Sequence, residues 1–456
     1  MIRDWRARLA AGLAAALALA FALPAAAAAH SVNATYASRL PLAVYLAGAA
    51  AAVALSFIFV IVRDVRAAPP DLSGASTIPP APIRHGLRAI GLIGWLWIVA
   101  QGIVGGSSDG DVATLFLWVY GWVGVAIISA VIGPVWHFLD PFSTLHDLAA
   151  AVLRRLKVQG WPIAPLPAQV GRWPAVLGFA FFIWLELVLF AGSALLFVVL
   201  IGYTALTLAM MAQFGRDEWR SQGETFTVWF RLLGRLAPYA LADEDGRVRR
   251  RSLGSGLLEP GLAAPEMTLV ALGVSSIIFD GLSQTQMFFD LFGAPGVPGR
   301  TLLLFAFLGL IVGIALAVSR TVGIHATTAG LLPIAVGYLV AHYLTYLLID
   351  GQRLLIAVSD PFQRGWDLFG TAFHEPSGDW LPPGLIWTIQ LAAVVGGHML
   401  GAWGGHVVAA LEAPPGLSTA ALRRRQLPFA VVMVGLTTLT LWSLGQAIVV
   451  APVNPP

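Results

Sequence analysis

The chain has 456 residues, of which 58% are hydrophobic and only 11% are charged, with a formal net charge of +3 and no cysteine. Soluble globular domains carry about 25% charged residues, so this composition excludes that class. The lack of cysteine excludes disulfides, thiolate metal sites and cysteine nucleophiles. The basic excess is too small to imply a nucleic-acid partner.

The N-terminal residues predict a secretory signal peptide. Three arginines precede an apolar stretch at residues 9–23, and an alanine tract follows it. A basic start, a short apolar run and a small-residue cleavage site are typical of such a signal, with cleavage expected within 26–29. We expect residues 1–29 to be removed, which would make His30 the mature N-terminus. An uncleaved signal anchor is the alternative.

The rest of the chain predicts a single transmembrane domain over residues 30–456, an all-α bundle in a lipid bilayer. Apolar windows of about 19 residues indicate about ten membrane spans. The predicted spans are residues 40–62, 89–105, 112–136, 174–191, 193–212, 265–289, 301–319, 326–349, 384–408 and 429–449.

The lysines and arginines predict the orientation of these spans. With the mature N-terminus outside, twenty of the 27 lie in connections predicted inside, four lie outside and three lie in the signal peptide. Because basic residues concentrate on the cytoplasmic side, the sequence predicts a multi-pass protein of the bacterial inner membrane with both mature termini outside. The longest connection, 213–264, is expected in the cytoplasm, with its "GRVRRRS" stretch as a topology anchor rather than a binding segment.

A motif, DPFxxxxDL, occurs at Asp140 and again at Asp360. Each copy follows the third span of a five-span half, and five spans per half place the two halves in opposite orientation. The sequence therefore predicts inverted repeats over 40–212 and 265–449. Each motif is expected to begin a helix, because aspartate is a favourable N-cap and proline suits the first helical position. Two unrelated interfacial helices are the alternative.

Polar side chains within spans are candidate functional residues, because an unpaired charge in the bilayer costs about 3 kcal/mol or more. At a rise of about 1.5 Å per residue, Asp280 and His342 are expected roughly 12 to 13 Å from the outer end of their spans. Glu186 and Gln390 fall in the same outer third. His398 lies deeper, roughly 21 Å in, where it is expected to share a cavity with the others.

Four polar residues follow one another at four-residue steps, which places them on one face of a helix. They are Tyr338, His342, Tyr346 and Asp350. The sequence predicts a water-lined stripe along this face. The glycines around His398 in "GGHMLGAWGGH" are expected to allow close helix approach.

Together these side chains predict a polar cavity that could hold a metal ion and activate water, and no standard catalytic motif in the sequence names the reaction. Imidazole and carboxylate groups bind zinc, manganese, iron or copper, and a bound metal brings the pKa of its water toward neutrality. We expect a divalent metal, of an identity left open among zinc, manganese and copper. The candidate metal ligands are His342, His398 and His30, and the catalytic candidates are Asp280 and Glu186. The substrate-binding candidates are Tyr338, Tyr346, Gln390 and Asp350. The alternative is that these residues only form hydrogen bonds between helices.

Several stretches resemble the fenitrothion hydrolases, a family of bacterial membrane proteins that hydrolyse organophosphorus compounds. The resemblance covers about residues 30–406 in order and spacing. It is carried by "HSVNATYASRLPLAVYLAGAAAAVALSF", "WVYGWVGVAIISAVIGPVWHFLDPF", "FRLLGRLAP", "FDGLSQT", "LLPIAVGYLVAHY", "VSDPFQRGWDLFGTA" and "IWTIQLAAVVGGHMLG".

The resemblance implies hydrolysis of the aryl P–O bond of phosphotriesters such as fenitrothion, by one subunit of an assembly of two related membrane proteins. The matched positions include Asp280, His342, Asp360, Asp367 and His398. His137 departs from the family pattern, so no role is carried to it. An apolar substrate of this kind partitions into the bilayer and suits a pocket with apolar walls.

A different class of function stays open. The amine and imidazole of a mature His30, together with His342 and His398, also suit a copper-handling membrane protein. Inverted halves with carboxylates inside the membrane suit a transporter without hydrolytic activity. A membrane scaffold with buried polar contacts is the third alternative.

Overall fold

The computed structural model describes residues 42–63, 75–106, 110–157 and 162–445. The predicted signal peptide and His30 lie outside the described residues. Helices make up most of the described chain, and the few strands are two or three residues long. The prediction of an all-α helical bundle is confirmed.

The first half of the described chain contains nine helices and three short strands. They are α1 (Leu42–Arg63), β1 (Ser76–Thr77), α2 (Ala81–Val104), α3 (Val112–Val131), α4 (Trp136–Leu139), α5 (Pro141–Arg155), α6 (Trp173–Leu187), α7 (Ser193–Phe214), α8 (Arg216–Gln222), α9 (Thr225–Leu233), β2 (Tyr239–Leu241) and β3 (Val248–Arg250). The centre of α3, Leu115–Val125, is π-helical. The strands form one antiparallel sheet in the order β1-β3-β2.

The second half is helical throughout its described regular structure. Its helices are α10 (Ala264–Ser283), α11 (Gln286–Phe292), α12 (Val297–Val322), α13 (Ile324–Asp350), α14 (Arg353–Ser359), α15 (Pro383–Leu411), α16 (Thr419–Arg425) and α17 (Leu427–Leu444).

Each of the ten predicted spans corresponds to a helix. In the described part of the chain, nine helical segments are long and apolar enough to cross a membrane. The exception is α6, the fourth predicted span, which has 15 residues where about 20 are needed to cross the hydrocarbon core. The chain is therefore a multi-pass helical membrane protein. The predicted inverted repeat stays a prediction.

The chain divides into two compact units. The first unit comprises Met1–Pro70, Leu257–His342 and Leu381–Pro456, and the second comprises Asp71–Gly256 and Tyr343–Trp380. The boundary between the units crosses α13 between His342 and Tyr343.

The first unit packs α1 against α15 and α17, and α10 against α12. Close approach of α13 and α15 depends on glycine. A Cβ at Gly397 would lie 2.6 Å from the carbonyl oxygen of Pro333, and one at Gly401 would lie 2.3 Å from that of Gly330. Both distances are shorter than van der Waals contact, so only glycine fits. The prediction that these glycines permit close helix contact is confirmed.

The second unit has an aromatic core. Trp122 of α3 contacts Phe179 and Phe182 of α6, and Phe179 lies 4.7 Å from Trp229 of α9 between ring centroids. Helix α9 lies within the segment predicted as a polar cytoplasmic connection, yet Trp229 is completely buried. The sequence did not predict this buried helix, because nine apolar residues are too few for a span-sized hydropathy window to detect. The cytoplasmic placement of the connection stays a prediction.

The two DPF motifs differ in local structure. Asp140 begins α5 as predicted, accepting hydrogen bonds from the backbone N–H groups of Phe142 and Ser143. Asp360 instead follows the end of α14 and accepts from the backbone N–H groups of Arg364 and Gly365, 2.7 and 2.9 Å away. The prediction that Asp360 begins a helix is wrong, because its carboxylate closes a loop in which Gly365 adopts a φ of +78°.

Candidate functional site

In the first unit, α10 and α13 bring together Asp280 and His342. His342 Nε2 lies 2.9 Å from Asp280 Oδ2, and the two side chains are 18% and 15% exposed. Two side chains separated by 62 positions in sequence therefore form a partly exposed acid–imidazole pair within membrane-spanning helices. The sequence predicts that Asp280, His342 and His398 share one cavity, and the structure brings the first two into contact.

Neighbouring polar groups fix the carboxylate of Asp280. Gln284, one turn further along the chain, donates a hydrogen bond of 2.8 Å from Nε2 to Asp280 Oδ1. Arg300 of α12 donates to Ser283 Oγ over 3.0 Å and also interacts electrostatically with Asp280. The sequence reading missed these three residues. The polar cluster that follows Asp280 in "FDGLSQT" is the signal that would have found two of them.

The geometry assigns the tautomer of His342. Because an ionised carboxylate only accepts hydrogen bonds, a neutral His342 in contact with an ionised Asp280 carries its proton on Nε2. The basic nitrogen is then Nδ1. A carboxylate that holds a histidine in this tautomer also stabilises the imidazolium that forms when Nδ1 takes a proton. The pair thus has the arrangement of a general base with its orienting group.

Small side chains border the pair. A Cβ at Gly281 would lie 3.3 Å from Ser443 Oγ of α17 and 3.7 Å from His342 Cε1. Glycine at this position therefore omits a side chain that would lie against Cε1 of the imidazole ring. This matters for chemistry, because a general base must come within hydrogen-bond reach of the proton that it removes.

A second histidine on α13 is also paired with a carboxylate but serves packing. His325 Nδ1 lies 2.6 Å from Glu412 Oε1, and its Nε2 lies 3.0 Å from the carbonyl oxygen of Leu257. Both ring nitrogens are therefore engaged in contacts within the first unit. His325 is a natural comparison for His342.

His398 does not join the Asp280–His342 pair in the way predicted. Its side chain is completely buried, with Nδ1 2.8 Å from the carbonyl oxygen of Val394 and Nε2 3.4 Å from the hydroxyl of Tyr338. Tyr338 is also completely buried and donates to the carbonyl oxygen of Leu436. The predicted water-lined stripe is wrong at Tyr338, because this residue packs within the helix interface.

The other predicted substrate-binding residues are also engaged in local contacts. Gln390 is buried and donates a 2.7 Å hydrogen bond to the carbonyl oxygen of Ala341, which joins α15 to α13. In the second unit, Asp350 accepts a 3.2 Å hydrogen bond from Arg353 three residues later. Tyr346 contacts the ring of Tyr343. Gln390 therefore contributes to helix packing, and its predicted substrate contact has no structural support.

Glu186, the second predicted catalytic carboxylate, belongs to the second unit. It lies near the end of α6, where Tyr343 directs its hydroxyl to Glu186 Oε1 over 3.5 Å. This long contact is a weak hydrogen bond at best. The catalytic role of Glu186 stays a prediction.

The donors found do not make a complete metal site. Asp280 and His342 supply two ligands, whereas protein zinc sites use at least three. Among the described residues, no three His, Asp or Glu side chains are grouped closely enough to hold a metal. The expectation that His398 completes such a group is not met, and His30 lies outside the described residues. The divalent metal stays a prediction, and the chemistry of the pair is considered without it.

The second unit holds a buried carboxylate that the sequence reading passed over. Glu224 is fully buried, caps α9 by accepting from Thr227 N over 2.7 Å, and also accepts from the hydroxyl of Tyr203. Burial, followed by the negative charge of Asp140, raises the pKa of Glu224. Its carboxylate caps α9 and accepts a hydrogen bond from Tyr203 of α7, so Glu224 joins these two helices.

Fold and site together define a multi-pass helical membrane protein with an acid–imidazole pair inside its first unit. No protein-family model matches the chain, and neither curated proteins nor solved structures give a significant match.

Proposed function

We propose that this chain is a membrane hydrolase that cleaves the aryl P–O bond of neutral organophosphorus triesters such as fenitrothion. The observation that carries the proposal is the 2.9 Å contact between His342 Nε2 and Asp280 Oδ2, in which both side chains are partly exposed. The resemblance to fenitrothion hydrolases supports the substrate class and an assembly with a related membrane subunit. Both residues of the pair lie in the stretches that carry this resemblance.

The proposed step is an attack of water on phosphorus. His342 Nδ1 takes one proton of the water as its oxygen bonds to phosphorus, and Asp280 stabilises the resulting imidazolium. The bond from phosphorus to the aryl oxygen breaks, and the phenolate leaves with the electron pair. The imidazolium and the new P–OH group then give up their protons, and the phenolate takes one of them. One triester and one water thus yield a diester anion, a phenol and a proton.

The surroundings of the pair favour a neutral ester. The terminal phosphoryl oxygen of an oxo triester, or the terminal sulfur of a thiophosphate such as fenitrothion, gains negative charge as water attacks. A nearby guanidinium stabilises such charge most strongly where water is scarce. Arg300, held by its hydrogen bond to Ser283 Oγ, supplies a positive charge close to Asp280. The pair lies in apolar helices. An uncharged, apolar triester would therefore reach it from the bilayer at little desolvation cost.

The proposal also places the protein in the bacterial inner membrane. The distribution of basic residues favours the bacterial inner membrane with both mature termini outside. In that orientation the pair lies toward the outer leaflet, where an apolar triester arriving from outside first dissolves.

The experiment is turnover of a triester that releases a nitrophenol, in membranes from cells that express the chain, in water labelled with ¹⁸O. We expect coloured nitrophenol to appear and the label to enter the phosphodiester product. Label in the nitrophenol would contradict attack at phosphorus. Membranes that contain the chain but release no nitrophenol would overturn the proposal. Altered copper tolerance in those cells would then favour the copper-handling alternative.

A further inference from the structure

The second unit contains a pocket of about 150 Å³ with an unusual concentration of guanidinium groups. Arg84 and Arg88 from the first turns of α2 line it together with Arg216 and Arg220 of α8. We call this the arginine pocket. Sites for drug-sized molecules measure about 300 to 1,000 Å³, so only a small group enters this pocket.

The two arginines of α8 are held in place by carboxylates. Arg216 binds both oxygens of Asp217, at 2.8 and 3.2 Å, and its Nη1 lies 2.7 Å from Asp147. Arg220 is almost fully buried, with Nε 3.1 Å from Asp140. These pairs fix the two guanidinium groups as rigid walls of the arginine pocket.

The two arginines of α2 are less tightly paired than those of α8. Arg84 Nε is buried and has no hydrogen-bond partner among the described residues. Among the described residues, Arg88 pairs with Asp147 over 3.4 Å, and its side chain is 43% exposed. A buried donor without an acceptor is costly, and the oxygen atoms of a bound anion would remove that cost.

The remaining polar lining contributes one opposing charge, that of Asp245. Burial, followed by the positive charge of Arg220, lowers the pKa of His137 to about 2, so this imidazole is neutral. Glu244 is neutralised by Arg231, whose guanidinium meets both carboxylate oxygens at 2.7 and 2.5 Å. Asp245 lies on an exposed turn at the pocket and opposes an anion.

We propose that the arginine pocket binds a phosphate group that carries at least one negative charge, supplied by an anionic lipid head group or by free phosphate. Guanidinium forks match the geometry of phosphate oxygens, and several forks converge here. The N-terminal end of α2 adds a partial positive charge.

Helix α2 also explains how a lipid would reach the pocket. Ile83, Ile90 and Ile93 of this helix are 54%, 62% and 60% exposed, so an apolar surface runs along the helix that carries Arg84 and Arg88. Acyl chains would cover this surface while the head group enters the pocket. Basic pockets beside membrane helices bind anionic head groups in this way.

The test compares phosphatidylglycerol, phosphatidylcholine and inorganic phosphate as ligands of the purified, delipidated protein. Native mass spectrometry counts the bound lipids, and titration calorimetry measures phosphate binding. Binding of phosphatidylglycerol but not phosphate identifies a lipid site, and binding of phosphate identifies a site for the free anion. We expect the double variant Arg84→Gln, Arg88→Gln to lower the affinity for the ligand that binds by about tenfold to a hundredfold, because charged hydrogen bonds are lost.

Two further variants keep the test decisive. Arg250→Gln removes an exposed arginine of β3, outside the pocket, and should leave binding unchanged. Asp245→Asn should strengthen binding, because it removes an opposing charge without removing a donor to the anion. Failure of both ligands to bind overturns the proposal. So does binding that Asp245→Asn leaves unchanged, or binding that a folded double arginine variant retains in full.

Discussion

The two units handle ionisable groups in opposite ways. In the first unit, an acid–imidazole pair lies within membrane-spanning helices and is partly exposed, and Gln284 donates a hydrogen bond to the second oxygen of its carboxylate. In the second unit, the charges around α8 form a dense network in which Arg220 and Asp140 are both almost fully buried. The pair in the first unit leaves a possible base accessible, whereas the charged side chains of the network in the second unit hold one another in place.

His137 and His342 show how burial and a neighbouring charge affect an imidazole. His137, beside the arginine network, is pushed toward its neutral form by burial and then by Arg220. His342 instead faces a carboxylate and remains partly exposed. A carboxylate beside an imidazole orients the ring by accepting its N–H, whereas an arginine beside an imidazole disfavours the protonated form. Only the first arrangement suits a group that must accept a proton during a reaction.

The largest expected effect concerns stability in the second unit. Asp140→Asn keeps a side chain able to cap α5 but leaves the buried guanidinium of Arg220 without its carboxylate. Removing one partner of a buried ion pair costs about 3 to 5 kcal/mol. The free energy of unfolding, measured by chemical denaturation in detergent, should fall by this amount.

A matched variant tests whether burial is the cause. Asp243 lies 3.6 Å from Arg247, and both side chains are more than one third exposed. Asp243→Asn should change the free energy of unfolding by less than about 1 kcal/mol. Equal losses in the two variants would mean that the buried network has no special role.

The next effect concerns catalysis in the first unit. Asp280→Asn removes the charge that stabilises the imidazolium but keeps a side chain of the same size. We expect kcat to fall by about tenfold to a hundredfold, part of the total general-base contribution of about 10²- to 10⁴-fold, with KM nearly unchanged. Steady-state kinetics of nitrophenol release give both constants. A rise in KM with unchanged kcat would assign Asp280 to substrate binding instead.

The smallest effect is a change in the response to acid. The pKa of His137 is about 2 in the folded protein, whereas an unfolded histidine has a value of about 6.5. Between these values the unfolded chain binds a proton that the folded chain does not, so stability falls as the pH falls. The contribution of one histidine is at most about 1.4 kcal/mol per pH unit. His137→Gln should make the loss of thermal stability toward low pH shallower, and an unchanged slope would contradict the account.

Much of the fold could be predicted from hydropathy alone. Spans of about 20 apolar residues leave a signal that no tertiary contact needs to supply, so each predicted span has its helix. Helix α9 was not predicted, because its nine residues are buried by the aromatic core around Trp122. This burial is a property of packing rather than of local sequence. Asp360 was misjudged for a related reason, since the loop that follows it decides what its carboxylate caps.

The candidate site could be predicted only in part. Depth in the membrane correctly indicated that Asp280 and His342 could meet, because both lie in the same third of their spans. Depth does not fix the direction of a side chain, and His398 and Tyr338 turn out to be sealed between helices. The arginines of α2 and α8 entered the sequence reading only as topology markers, because a pocket between helices distant in sequence has no local signature.

The central claim is that His342 acts as the base, and one comparison tests it most directly. His342→Gln and His325→Gln each replace a histidine of α13 that contacts a carboxylate. Measured as kcat/KM for nitrophenol release by folded protein, His342→Gln should lose about 10²- to 10⁴-fold, and His325→Gln should stay close to wild type. Equal activity in His342→Gln and wild type, with both proteins folded, would contradict the account.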